Sequence, residues 1–217
     1  MPLPDTVGFG EFPYFTSSLK GYKFSVLNEW TLIDQLKKGD ESAFKYIVDT
    51  WKDMVYNTAL SIVQQPEDAE DVTQEVFVQV YQSIEGFKRE SKFSTWLYRI
   101  TLSKAMDNER RKKRKKRFAF VKSLFGEENE AAVDLPDFNH PGVTLDNKEK
   151  AANLFRAMQA LPDNQRIAFI LNKVEGLSYQ EISEVMDSTV SAVESLLHRA
   201  KSNLRKQLKS YYEQLKR

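Results

Sequence analysis

The 217-residue chain has no cysteine and only two histidines, His140 and His198. The first absence excludes disulfides and thiolate metal sites, and the second leaves little from which to build an imidazole centre. Glycine (8) and proline (7) are scarce. After about residue 30 they fall mainly at the boundaries of helically periodic segments, and no convincing strand pattern appears there. No apolar run approaches the ~20 residues needed to span a bilayer. The N-terminus lacks the basic start and apolar core of a signal peptide, so a soluble, cytoplasmic chain without membrane insertion is expected. Hydrophobic residues at 41% suffice for a packed core, and the length points to one or two domains.

The net charge of +1 conceals a segregation of charge along the chain. Lys92 to Arg117 holds eleven basic and two acidic residues, eight of the bases consecutive from Arg110. Glu127 to Glu149 then holds seven acids and one base. That order points to a polyanion-binding module beside an acidic linker, although a basic run also serves as a solvated helix end.

The last seventy residues carry the sharpest pattern. Ser178 and Glu181 have the spacing of a capping box opening a short helix whose inner face is Ile182, Val185 and Met186. Asp187 and Ser188 form a turn, and Thr189 is placed to cap the next helix. There Val190, Val193, Leu197, Ala200 and Leu204 make a stripe at helical spacing. The opposite face carries Ser191, Glu194, Ser195, His198, Arg199 and Ser202. Short polar groups for base edges and cations for phosphates suit a helix in a DNA major groove. An ordinary solvated helix pair is the alternative.

Upstream, the periodicity predicts helices from Thr31 and from near Asp40, the second carrying Phe44, Ile47, Val48, Trp51, Val55 and Ile62. Pro66-Glu67-Asp68 reads as a helix start, with proline in the first turn and acids at the positive dipole end. That helix is expected to run to about Ile84 and stop at Gly86. Ser94 is a candidate cap for the helix entering the basic cluster. Periodicity fails between roughly 117 and 145, which reads as a flexible linker, and returns near Thr144 with a break at Leu161-Pro162-Asp163. Residues 1–28 have six aromatics, three prolines and no clear period, and their role stays open.

Taken together, residues 31 to 212 resemble an extracytoplasmic-function (ECF) sigma factor of bacterial RNA polymerase. The stretches that carry the likeness are Asp68–Phe77, Phe87–Ile100 with the basic helix after it, Leu161-Pro162, Gly176–Ile182 and Ala192–Lys201. The resemblance implies an all-α fold of two small helical domains on a flexible acidic linker. It divides the chain into an N-terminal extension (1–29), sigma region 2 (30–116), the linker (117–143) and sigma region 4 (144–217), which holds the helix-turn-helix. The family's role is to bind core RNA polymerase, direct it to promoter DNA and help melt the −10 region. An anti-sigma factor is the regulatory partner that the family suggests.

Carried over by position, core polymerase contact falls to Asp68, Asp71, Gln74, Glu75 and Phe77. The rival role for those carboxylates is dipole complementation, worth a few tenths to ~1 kcal/mol each. Contact with the −10 element falls to Lys88, Arg89, Ser91, Lys92, Ser94, Ser103, Arg110 and Arg111, while Phe93 and Trp96 are expected to support the fold. Ser103 stands where many relatives have Asn. Contact with the −35 element falls to Ser191, Glu194, Ser195, His198 and Arg199. Glu194 replaces a basic residue common in relatives and can accept from a cytosine amino group. No catalytic residue, metal, cofactor or small-molecule substrate is expected. Two other readings compete: a stand-alone helix-turn-helix regulator, and an all-helical magnesium-dependent nucleotide hydrolase using Glu67, Asp68, Glu70, Asp71 and Glu75. The second lacks a facing carboxylate helix.

Overall fold

The computed structural model describes residues 26–124 and 148–214, and within them the fold is all-α. The helices are α1 (Val26–Lys37), α2 (Glu41–Val63), α3 (Pro66–Ser83), α4 (Phe93–Leu124), α5 (Lys148–Gln159), α6 (Asp163–Lys173), α7 (Tyr179–Val185) and α8 (Val190–Gln214). The first domain packs α2, α3 and α4 against one another, with α1 on α2. Asp40 caps α2 through bonds from the Ser42 and Ala43 backbone N–H groups, and Pro66 opens α3 as the sequence predicts. Val72, Val76 and Val80 of α3 are fully buried, each contributing about 1.5–3 kcal/mol relative to exposure. In the second domain α8 is the central element, touching α5, α6 and α7. Val193, Leu197, Ala200 and Leu204 form its buried stripe.

Several boundaries differ from the sequence-based expectation. Helix α1 begins at Val26 rather than Thr31. The stop at Gly86 is a 3-10 turn over Ile84–Gly86, not a left-handed glycine cap. Helix α4 starts at Phe93, so Ser94 lies in its first turn and is not its cap; burying Phe93 among aromatic rings draws the helix back beyond that serine. The same helix continues to Leu124, past the expected domain end at 116. The expected acidic linker and the helix start near Thr144 otherwise fall outside the described residues, as does the N-terminal extension up to residue 25. Val190 is 39% exposed, since the first residue of α8 precedes the turn that packs.

The domains meet along a seam formed by α4 with α7 and α2 with α6. Gln64 Nε2 donates to the Phe155 carbonyl at 2.9 Å. The Tyr98 hydroxyl donates to Glu175 at 3.0 Å. Arg166 Nη2 donates to Glu109 Oε2 at 2.8 Å, and Arg166 is only 1% exposed.

Candidate functional site

Three surfaces carry the residues singled out in the sequence. The first is the outer rim of α3. Burial of Ala69, Val72, Val76 and Val80 turns Asp71, Gln74 and Val78 to solvent, with Val78 55% exposed. Asp68 pairs with Lys112, and Glu75 Oε1 lies 3.4 Å from Arg111. Cations of α4 thus sit beside this acidic rim. Asp71, Gln74, Glu75, Val78 and Lys104 line one shallow groove. Phe77 does not belong to the rim. It is 6% exposed in the core, because α3 is wedged between α2 and α4 and buries a stripe wider than one row of residues.

The second surface is the loop before α4 and the exposed side of that helix. An aromatic cluster fixes the loop's base. Phe87 lies 5.0 Å from Trp96, 5.9 Å from Phe93 and 6.3 Å from Trp30, between ring centroids. Lys37 Nζ donates to the Phe87 carbonyl at 2.9 Å. Phe93 and Trp96 therefore support the fold, as expected from helical spacing. Arg89 adopts a left-handed backbone (φ 63°), pairs with Asp34, and holds its guanidinium 5.2 Å from the Trp30 ring centroid. Lys88, Lys92 and Ser103 are exposed, and Ser91 and Ser94 half-buried. Lys92 Nζ lies 3.5 Å from Glu181 Oε1. Further along, Arg110 and Arg111 are exposed at the start of a basic groove that continues through Lys113, Arg114, Lys116 and Arg117.

The third surface is α7 and α8. Ser178 accepts from the Glu181 backbone N–H, and Glu181 accepts from the Ser178 N–H at 3.0 Å, completing the capping box. That backbone bond holds the Glu181 carboxyl below its usual range. Asp187 takes a left-handed conformation in the turn (φ 49°). Thr189 Oγ1 then accepts from the Ala192 N–H at 3.2 Å, capping α8. Ser191, Glu194, Ser195, His198 and Arg199 are all exposed on one side of that helix, opposite its buried stripe. Among the described residues no cluster of His, Asp or Glu could hold a metal ion, and no helix is long and apolar enough to cross a membrane.

Sequence reasoning missed the buried charges. Glu109, Arg166 and Glu175 are each at most 8% exposed. Burial pushes the Glu175 carboxyl up to about 7, against the lowering influence of the Thr58 hydroxyl and of the bond from Tyr98. Burial also raises the Tyr98 hydroxyl, with Glu175 adding to the effect. No periodicity marks these residues, since their partners lie far away in sequence.

Comparison with known proteins accords with this architecture. Residues 47–115 match the model of Sigma-70 region 2 and residues 151–204 that of Sigma-70, region 4. The chain is 34% identical over 179 residues to the ECF RNA polymerase sigma factor SigW of Bacillus subtilis (strain 168), covering 82% of this chain and 95% of that protein. It is 31% identical over 175 residues to the ECF RNA polymerase sigma-E factor of Escherichia coli (strain K12), covering 81% and 91%. The fold is similar to that of CnrH, solved in complex with the cytosolic domain of CnrY. That match has a TM-score of 0.58 at 22% identity and covers 84% of this chain and 97% of the other. It is also similar to the sigma factor RpoE of Bartonella quintana, solved with the anti-sigma factor NepR, with a TM-score of 0.51 at 23% identity over 76% and 96%. The chain belongs to the ECF sigma factors of RNA polymerase, and its function is to direct the polymerase to promoters.

Proposed function

We propose that the three surfaces divide the work of initiation. The observation that carries this reading is the rim of α3, where Asp71, Gln74, Glu75 and Val78 face outward over a fully buried valine stripe. A stand-alone regulator would have no use for such an acidic rim; a factor that docks on a larger enzyme does. In this reading Asp68, Asp71, Gln74 and Glu75 bind core polymerase, and Phe77 holds α3 in place from the core. The loop Lys88–Lys92 and the exposed side of α4, with Ser94, Ser103, Arg110 and Arg111, engage the melted −10 strand through short polar groups and phosphate-binding cations. Arg89 acts there by fixing the loop on α1. Helix α8 reads the −35 duplex with Ser191, Glu194, Ser195, His198 and Arg199. The domain division 30–116 and 144–217 follows the same assignment, extended along α4. Binding specificity rather than catalysis is the whole activity, and an anti-sigma factor is its inhibitor, the class of partner with which RpoE of Bartonella quintana was solved.

The test is gel filtration of the purified chain with core RNA polymerase. The wild type co-elutes, whereas Asp71→Lys with Glu75→Lys elutes alone while keeping its helical circular dichroism. Co-elution of that double variant at moderate salt rejects the α3 assignment.

A further inference from the structure

Two buried amides outside the three surfaces line one cleft. Gln64, at the end of α2, is 4% exposed, and Asn108, on α4, is 5% exposed. Both border a space of about 200 Å³ where α2 and α4 meet the end of α5 at Gln159. Among the described residues, neither Gln64 Oε1 nor Asn108 Oδ1 has a hydrogen-bond partner. For Gln64 the orientation is fixed, because Nε2 donates to the Phe155 carbonyl at 2.9 Å and a carbonyl can only accept. The other corner of that amide is an acceptor without a donor. Gln64 also holds a left-handed backbone (φ 57°) as the C-cap of α2, a position that glycine fills at lower cost. Interiors pair nearly all their polar groups, since an acceptor taken out of water without a donor is destabilising. Two such acceptors beside one cleft suit a ligand that carries N–H or O–H groups.

The mouth of the cleft has the opposite character. Lys116 follows Lys112 and Lys113 by four and three residues, which puts all three ammonium groups on one side of α4, and all three line the cleft. Lys113 and Lys116 are exposed and Lys112 is half-buried. Among the described residues of the lining these lysines stand against one acid, Glu109. Glu109 Oε2 lies 3.4 Å from Lys113 but takes its shorter bond, 2.8 Å, from Arg166, and Lys112 pairs with Asp68. The excess of cations makes an anion-binding mouth, and lysines hold phosphate as point charges without demanding one geometry. The space is smaller than the about 300–1,000 Å³ of pockets that enclose a drug-sized ligand. It admits a sugar or a base while phosphates stay at the mouth.

We propose that this cleft binds a ribonucleoside diphosphate. The diphosphate sits on Lys112, Lys113 and Lys116, and hydroxyl or amino groups of the nucleoside donate to Gln64 Oε1 and Asn108 Oδ1. The ligand is bound and not transformed, and the site stands independently of the promoter and polymerase assignments.

The test is isothermal titration of the purified full chain with ADP and with GDP, each compared with inorganic pyrophosphate at the same salt. At least one nucleotide binds at a single site, about tenfold or more tighter than pyrophosphate, since only the nucleoside reaches the amides. Asn108→Leu removes an unpartnered acceptor while keeping a side chain of similar size. Without ligand its melting temperature equals or exceeds that of the wild type. Its nucleotide affinity falls about tenfold or more, and its pyrophosphate affinity stays. Lys116→Gln, at an exposed position, decides where Asn108→Leu is destabilised, and it weakens nucleotide and pyrophosphate alike. Pyrophosphate binding as tightly as both nucleotides would reduce the cleft to the general attraction of a basic helix for anions and overturn the proposal. So would the absence of binding by either nucleotide, full nucleotide affinity in a folded Asn108→Leu chain, or unchanged affinity in Lys116→Gln.

Discussion

The guanidinium of Arg89 lies 5.2 Å from the ring centroid of Trp30 while pairing with Asp34, both on α1. This holds a non-glycine residue in the left-handed region at φ 63°, which costs about 1–2 kcal/mol. Arg89→Gly removes that cost together with a cation–π contact worth about 0.5–1 kcal/mol and an exposed ion pair of about 0–1. Stability should therefore change by less than about 1 kcal/mol in urea denaturation. Open-complex formation should fall severalfold, because the loop is no longer fixed. Arg89→Lys should rescue little, since a lysine has no planar group to stack. Full melting activity in Arg89→Gly would show that the loop needs no clamp.

How far the sequence shows all this depends on the range of the interaction. Local signals are legible: the Ser178–Glu181 box, the Thr189 cap, the proline start of α3 and the stripe of α8 each depend on residues within about one turn of one another. The errors arise where tertiary packing decides. Phe77 looks like part of an outer motif until α4 closes over α3. Ser94 has the chemistry of a cap, but the ring cluster around Phe93 starts the helix earlier. The seam is least visible of all. Arg166 reads as a surface residue beside Asp163 and Gln165, and only the approach of α4 pairs it with Glu109. Surface readers are easier to place, because α8 sorts them by its own periodicity, although periodicity does not name the base each one meets.

The capping box sets the geometry of the helix-turn-helix, so its loss should be felt beyond α7. Ser178→Ala removes the acceptor for the Glu181 N–H and the hydroxyl that donates to Glu181 Oε2 at 2.9 Å. A loss of about 1 kcal/mol is expected in urea unfolding. The depressed Glu181 carboxyl contributes stability above its ordinary range, and that contribution is lost as pH falls through its lowered value. Alanine keeps the backbone N–H that lowers the carboxyl most and loses only the hydroxyl's share, so the wild-type advantage over Ser178→Ala should shrink in acid by that smaller part. An advantage that does not change with pH would mean that the charge on Glu181 is immaterial to the cap.

Glu175 has the opposite sign. Its carboxyl is raised from 4.5 to about 7 by burial, so the folded structure binds a proton more tightly than the unfolded chain. The contribution is fully present below about pH 4.5 and is lost as pH rises toward 7. The groups around it are the Tyr98 hydroxyl from α4, the Thr58 hydroxyl from α2, and Glu181 acting on Tyr98; none supplies a compensating cation. Glu175→Gln mimics the protonated acid. Its melting temperature should match the wild type near pH 4 and exceed it at pH 8. Parallel curves for the two proteins would show that the carboxyl is hydrated in the folded chain.

The basic end of α4 should dominate the salt dependence of promoter binding. Arg110, Arg111 and Lys113 to Arg117 are exposed, and neutralising about six phosphates contributes a log–log salt slope of roughly −4 to −5. Replacing Arg114, Lys115, Lys116 and Arg117 with Gln removes about four of those contacts and should make the slope shallower by about 3. Because such contacts position the strand without reading bases, affinity should fall almost equally on cognate and scrambled −10 sequences. Glu194→Gln makes the contrasting case. It removes one carboxylate from α8 and should change the preference among −35 sequences while moving the salt slope by less than about 1. Titrating the holoenzyme with promoter DNA between 50 and 200 mM salt separates the two. An unchanged slope in the four-Gln variant would place this basic run away from the phosphates, as a solvated helix end and nothing more.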